Sequence, residues 1–378
     1  MTIALEITAR DGAARTGVAE VRGRRFHTPA FMPVGTVGSV KGLSPRDLRQ
    51  LSVEIILSNT YHLRLRPGPD RVREFGGLHA FCGWDGAILT DSGGYQIFSH
   101  TDRVRVDEDG ATFKSHLDGE VVRLTPEEAV RIQDALDPDV AMVLDHPVAL
   151  PSPESRVEAA ARRSLRWAER CLRHHRETVT SGQALFAILQ GATDPELRKR
   201  QAEDLRALAF DGYAVGGLAT GESKGELAET MRLAVPLLPD DRPRYVMGIG
   251  YPDDLLRGIA AGADMFDCVV PTRHARTGQA FTSSGVVRLK HKVRRAARGP
   301  LDPRCSCETC RDFEVGYLTH LYKCREMLGP TLVARHNVHF YQRLVGGARE
   351  AIAAGTVAAY QEEFLARYAG GAPSGAAE

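Results

Sequence analysis

Eight short apolar runs, each closed by a polar residue or glycine, constrain this chain more than any other feature. They cover Phe31 to Thr36, Glu54 to Thr60, Ala87 to Ser92, Val140 to Asp145, Leu185 to Gly191, Gly212 to Leu218, Arg244 to Gly250 and Met265 to Thr272. Each is rich in Val, Ile, Leu, Phe or Met, as strands buried on both faces are. Helical patterns separate most of them. Ser44-Pro45 and Thr125-Pro126 give an N-cap followed by proline at the first helical position, and Thr125 with Glu128 matches a capping box. Asp194-Pro195 and Pro252 open two more helices, and Glu154 to Glu177 is one long helical stretch. Eight strands alternating with helices predict an α/β fold, the (β/α)8 TIM barrel. An open doubly wound sheet fits less well, because no dinucleotide fingerprint follows the first run.

The barrel is expected over residues 1–280, and three segments break the alternation. Residues 1–30 read as antiparallel hairpins closing one barrel end. Val104 to Leu124 carries Asp109-Gly110 and Asp118-Gly119, two hairpin turns that predict a β insertion. Residues 281–340 form a small inserted subdomain around a cysteine cluster. Helices over 341–369, with a helical stretch at 347–368, pack back on the barrel. The tail 370–378 is small and polar and reads as disordered.

The chain has 378 residues, with 49 basic against 48 acidic side chains, so the net charge of +1 selects no partner class. Its seven cysteines, three of them crowded together, favour metal over disulfides. With no signal-like N-terminus and no apolar run of membrane-spanning length, a cytoplasmic protein is expected. Gly217 to Ser223 resembles a phosphate loop but lacks the Gly-Lys-Ser/Thr ending, which argues against nucleoside triphosphate binding.

Chemistry in such a barrel sits at the C-terminal ends of the strands. Reading the end of each run gives Asn59, Asp91-Ser92, Asp145, Gln190, Gly216-Gly217, Met247-Gly248 and Asp267. One aspartate at a strand end is usually the cap of the next helix. Three converging on one mouth repel each other, and a fold keeps them for function. Two carboxylates across a sugar let one attack the anomeric carbon while the other moves protons. Glutamine, asparagine and glycine amides can read a purine edge, and Tyr95 and Met247 can flank its face.

Cys305, Cys307 and Cys310 are spaced CxCxxC, with His336 and His339 following and His320 and Cys324 as spare candidates. Three thiolates and one imidazole make a closed, structural Zn2+ site. Arg288 to Arg298 carries six basic residues and no acid, and Arg273 and Arg276 follow Asp267 closely, placed for RNA.

The stretches SNTYHLRLRPG (58–68), LTDSGGYQIFS (89–99), FAILQG (186–191), VGGLATGES (215–223), RYVMGIGYPDDL (244–255), DMFDCVVPTR (264–273), CSCETC (305–310) and RHNVHFYQ (335–342) resemble the tRNA-guanine transglycosylase family over nearly the whole chain. The resemblance implies exchange of guanine at the first anticodon position for a 7-deazaguanine base in queuosine biosynthesis, with no nucleotide or redox cofactor. It implies Asp267 as nucleophile and Asp91 as general acid/base. Asp145, Gln190, Gly217 and Leu218 are implied to read the base, Ser92 and Asn59 to support them, and Tyr95 and Met247 to stack. Zinc falls to Cys305, Cys307, Cys310 and His336, and the anticodon loop to Arg273 and Arg276. A dimer, with a homodimer expected, is also implied.

Two positions depart from the bacterial pattern: Asp145 is followed by His146-Pro147 where Glu-Cys is common, and Thr220 stands where bacterial members have valine and eukaryotic ones glycine. Threonine is nearly isosteric with valine, so the smaller precursor base preQ1 is favoured over queuine. A non-catalytic tRNA-binding partner subunit would lack the acids, yet Asp91 and Asp267 are both present.

Overall fold

The computed structural model describes residues 2–100 and 104–370. All eight apolar runs form parallel strands of one sheet. In chain order they are Ala30–Pro33, Ile55–Ser58, Ala87–Thr90, Val140–Met142, Ala184–Leu189, Gly212–Val215, Arg244–Val246 and Met265–Cys268. The first strand pairs with the eighth from Ala30↔Met265 to Pro33↔Cys268. A parallel bridge from Val34 to Leu57 joins the first to the second, so the strands close on themselves. The strands are shorter than the apolar runs. Most of their polar ends therefore lie just past the last ladder bond, where side chains are free to face the mouth.

Helix starts follow the local chemistry. Ser44 caps Pro45–Gln50 in a full capping box with Asp47, and Asp194 accepts two amides at the start of Pro195–Ala207. The box expected at Thr125 is only half formed. Thr125 Oγ1 accepts the Glu128 amide at 3.2 Å, while the Glu128 carboxylate turns to Arg131 at 2.7 Å. Charge pairing with the guanidinium wins over the return bond to the backbone.

An antiparallel meander, Ile3–Asp11, Ala14–Val21 and Arg24–Thr28, covers the N-terminal barrel end. Arg15 is fully buried and grips both oxygens of Asp264, at 2.9 and 2.5 Å. The Arg244 amide completes the Asp264 shell at 2.7 Å. Such a pair tolerates burial only because its remaining polar atoms are bonded. Arg24 reaches Asp139 at 3.0 Å. Asp264 and Asp139 immediately precede the eighth and fourth strands, so the meander seals that end and leaves the other for chemistry.

The β insertion is a three-stranded sheet, Arg105–Val106, Ala111–Lys114 and Val121–Leu124. It turns at the two Asp-Gly pairs. It is pinned to the helix Thr60–Leu65 that follows the second strand by a 2.8 Å bond between the Tyr61 hydroxyl and His116 Nδ1.

Beyond the barrel, a hairpin (Gln279–Thr282, Gly285–Arg288) leads to helices Glu308–Asp312, Val315–Cys324, Leu328–Ala353 and Val357–Gly370. The third of these runs straight through position 340, so the cysteine-bearing segment and the C-terminal helices share one rod. The expected helical stretch 347–368 is two helices, broken where Gly355 takes φ +70°. The rod also braces the mouth. Asn337 bonds the Phe281 amide and the Pro271 carbonyl, each at 2.9 Å, and the Tyr341 hydroxyl bonds the Gly250 carbonyl. Among the described residues no helix is long and apolar enough to cross a membrane. The tail at 371–378 lies outside the described residues.

Candidate active site

The C-terminal mouth brings Asp91, Asp145 and Asp267 within electrostatic reach of each other. Asp91 follows the third strand directly. Its Oδ2 accepts from Asn59 Nδ2 at 2.5 Å and Gln96 Nε2 at 2.7 Å, and its Oδ1 from the Thr60 amide at 2.9 Å. Burial pushes its pKa up to about 6 against those three donors, and the charge on Asp267 adds to the rise. Asp145 is also pushed to about 6 by burial; the Gln190 amide, 2.6 Å away, opposes this and the Asp91 charge reinforces it.

Asp267 lies in the eighth strand. Its Oδ1 accepts from the Tyr245 hydroxyl at 2.5 Å and the Gly248 amide at 2.7 Å. Burial raises its pKa while those two donors hold it down. Tyr245 is itself buried and its pKa is driven well above 10, so it stays a donor. The two bonds engage one carboxylate oxygen, leaving Oδ2 with no recorded protein partner among the described residues.

The remaining expected residues divide by place. Asn59, Ser92, Gln190 and Leu218 are buried around the acids. Asn59 serves Asp91 rather than capping the helix it precedes, since its side chain makes no cap bond. Gly217 has φ +64°, and a Cβ there would lie 2.5 Å from Gln190 Oε1. A Cβ on Gly94 would come 2.6 Å from Asp145 Oδ1. Both glycines keep the backbone against the Gln190 and Asp145 side chains. Met247 is half-buried, whereas Tyr95 is 56% exposed at the rim. A small crevice of about 10 Å³, room for about one water, lies behind Gln190 and Gly217, bounded by His146, Val157 and Ala161.

Arg273 and Arg276 stand exposed on the helix Val270–Thr277 that follows Asp267. No ion pair holds either one among the described residues. Arg273 and burial together lower the pKa of Arg276, so the two cations are neighbours without a shared acid. The basic run 288–298 is exposed throughout apart from Leu289 and Ala297, and Arg298 pairs with Glu314 at 3.2 Å.

Cys305, Cys307, Cys310 and His336 place four ligand atoms within 4.8 Å of one another. His336 Nδ1 is 3.7, 3.5 and 3.3 Å from the three sulfurs. A tetrahedral ion with ordinary zinc–sulfur and zinc–nitrogen lengths needs edges of about 3.5 Å. His336 Nε2 donates to the Phe281 carbonyl at 2.7 Å, which fixes Nδ1 as the free lone pair. These residues can hold a metal ion. His320 and Cys324 form a separate pair, with Cys324 exposed.

Sequence reasoning missed Tyr245, Gln96 and Arg198. Tyr245 reads as a core aromatic in a buried strand. Gln96 follows the acid it serves by five positions and carries no motif of its own. Arg198 is 1% exposed and bonds the carbonyls of Ala192, Leu189 and Gly216, tying the ends of the fifth and sixth strands together. Its spacing is that of a helix surface residue, so only the fold reveals it.

Carboxylates coupled at a barrel mouth, one bonded by a hydroxyl and an amide and another by three amide donors, make this mouth a candidate enzyme active site. Comparison with known proteins says which kind. A family model described as Queuine tRNA-ribosyltransferase matches residues 11–370. The chain is 48% identical to the queuine tRNA-ribosyltransferase of Stenotrophomonas maltophilia over 369 residues, 97% of this chain and 98% of that one. The Thermus thermophilus protein of the same name is 47% identical over 364 residues, covering 96% and 93%. The Zymomonas mobilis one is 45% identical over 364, covering 96% and 94%. The chain belongs to the queuine tRNA-ribosyltransferase family.

Proposed function

We propose that this enzyme is a tRNA-guanine transglycosylase of queuosine biosynthesis. It exchanges the first anticodon guanine of GUN-anticodon tRNAs for preQ1 through an aspartyl-ribose adduct on Asp267. The observation that carries the reading is the contrast between two acids in a chain of this family. Asp267 is oriented by two donors on one oxygen, while Asp91 is poised near neutrality.

The target base lies in a single-stranded loop, so swinging it into the pocket disrupts little pairing. The Asp267 carboxylate attacks C1′, the bond from C1′ to guanine breaks, and Asp91 protonates the departing base. Asp91 then takes a proton from the incoming deazaguanine, whose nitrogen attacks C1′ and releases Asp267. A group titrating near 6 serves both directions. Asp145, Gln190, Gly217 and Leu218 read the base edge, Ser92 and Asn59 support the acids, and Tyr95 and Met247 close on its faces. Arg273 and Arg276 hold the anticodon loop. Cys305, Cys307, Cys310 and His336 hold Zn2+, whose contribution is structural. The working unit is a cytoplasmic homodimer.

Thr220 supports preQ1 over queuine. A threonine, nearly isosteric with valine, leaves less room than glycine for the larger base, and its buried hydroxyl, unpartnered among the described residues, can accept from the aminomethyl nitrogen. Labelled guanine in the tRNA should be displaced by preQ1 at lower concentration than by queuine. Queuine winning that competition would reverse the substrate assignment, and guanine release without base incorporation would make the enzyme a hydrolase.

Gly217→Ala tests the recognition loop. An L-residue at this positive φ costs about 1–2 kcal/mol, and its Cβ forces Gln190 to move. The KM for guanine should rise at least about tenfold, with kcat affected less. An unchanged KM would remove Gly217 and Gln190 from base recognition.

A further inference from the structure

We infer that Tyr251 is a stacking platform for a nucleobase that flanks the extracted guanine, an inference that rests on the function proposed above. Tyr251 leads into the helix Pro252–Ala260, three residues after Gly248, whose amide bonds Asp267. Its backbone is not free to drift. The preceding Gly250 carbonyl accepts from the Tyr341 hydroxyl, and a Cβ on Gly250 would lie 2.2 Å from that of Cys268, the neighbour of Asp267.

The ring is held from two sides. Lys224 Nζ sits 5.2 Å from its centroid and is anchored by Asp253 at 2.9 Å. The His274 ring meets it at 82° with centroids 6.2 Å apart. Three mouth loops, after the sixth, seventh and eighth strands, thus converge on one aromatic side chain. Even so, Tyr251 remains 46% exposed. With an ammonium over one face and an imidazole at the side, that exposure is what the ring offers to a ligand.

An immobilised aromatic face beside two unpaired arginines suits a flat, electron-rich ligand on an anionic backbone. A nucleobase meets both conditions. Base–aromatic stacking tolerates any base, and the cation beneath the ring strengthens the arrangement. Tyr251 touches no reacting atom in this scheme. It fixes the register of the strand so that the guanine next along enters the pocket.

The test uses an anticodon stem-loop RNA carrying, at each position flanking the target guanine in turn, an emissive nucleoside that keeps its natural pairing edge. Stacking changes the emission. Wild type and Tyr251→Phe should both shift it at one flanking position. Tyr251→Leu, which keeps apolar bulk without a π-face, should lose the shift and bind the RNA about tenfold more weakly. In that variant the KM for RNA should rise while kcat at saturating RNA stays near wild type. Equal emission shifts and equal affinity in wild type and Tyr251→Leu overturn the platform. If wild type exchanges guanine while this occurs, the proposed function stands without it. If wild type neither binds the RNA nor exchanges guanine, both fall.

Discussion

Asp267→Ala should abolish the denaturant-resistant adduct between enzyme and tRNA and slow base exchange by at least about 10⁴-fold, as loss of a covalent nucleophile does. The geometry makes this outcome specific. Tyr245 and Gly248 bind one carboxylate oxygen and so aim the other. Alanine keeps the strand but leaves the Tyr245 hydroxyl and the Gly248 amide without their acceptor. It also removes a half-buried carboxylate whose raised pKa reports a desolvation cost, which offsets that loss, so the variant should fold. A gel shift in denaturant, run beside a melting curve, separates lost chemistry from lost structure. Adduct formed by the alanine variant at the normal rate would show that another group captures the ribose.

Much of this site was legible before any coordinates, for a physical reason. A barrel puts strand ends at one mouth, so a pattern of apolar runs already places Asp91, Asp145, Gln190 and Asp267 together. The CxCxxC spacing likewise declares its chemistry, although spacing alone left His336 and His339 open. Geometry favours His336, whose Nδ1 lies 3.3 to 3.7 Å from all three sulfurs, with the Phe281 carbonyl orienting its ring. What stayed hidden depends on through-space contact between residues distant in sequence. Tyr245 looks like packing until its hydroxyl is seen on Asp267. Arg198 looks like a solvated helix residue until its guanidinium is seen on three carbonyls. The half-formed box at Thr125 is a local case: Glu128 and Arg131 stand three apart on one helix, so the competing partner was in the sequence and the capping motif alone did not weigh it.

Removing the metal should do more harm than a remote structural ion would suggest. His336 lies on the rod Leu328–Ala353, whose Asn337 and Tyr341 hold the Pro271 and Gly250 carbonyls behind the mouth. The Pro271 carbonyl lies on the helix that carries Arg273 and Arg276 just after Asp267, and the Gly250 carbonyl precedes Tyr251. Zinc binding in small Cys/His modules is worth about 10–16 kcal/mol, comparable with the about 5–15 kcal/mol that holds a whole domain together. Chelation, or Cys310→Ser, should therefore release one zinc per chain and lower the melting temperature. It should also speed amide exchange over 300–345 and, through the rod, over 247–277. Base exchange should fall with that loosening, and cobalt or cadmium should restore it once the fold returns, as the proposed structural role requires. Suppose instead that the stripped enzyme keeps its melting temperature and exchange pattern, yet its activity tracks which metal is supplied. The cluster would then be acting in the chemistry, and the division between a metal that holds the loops and acids that transfer the ribose would be wrong.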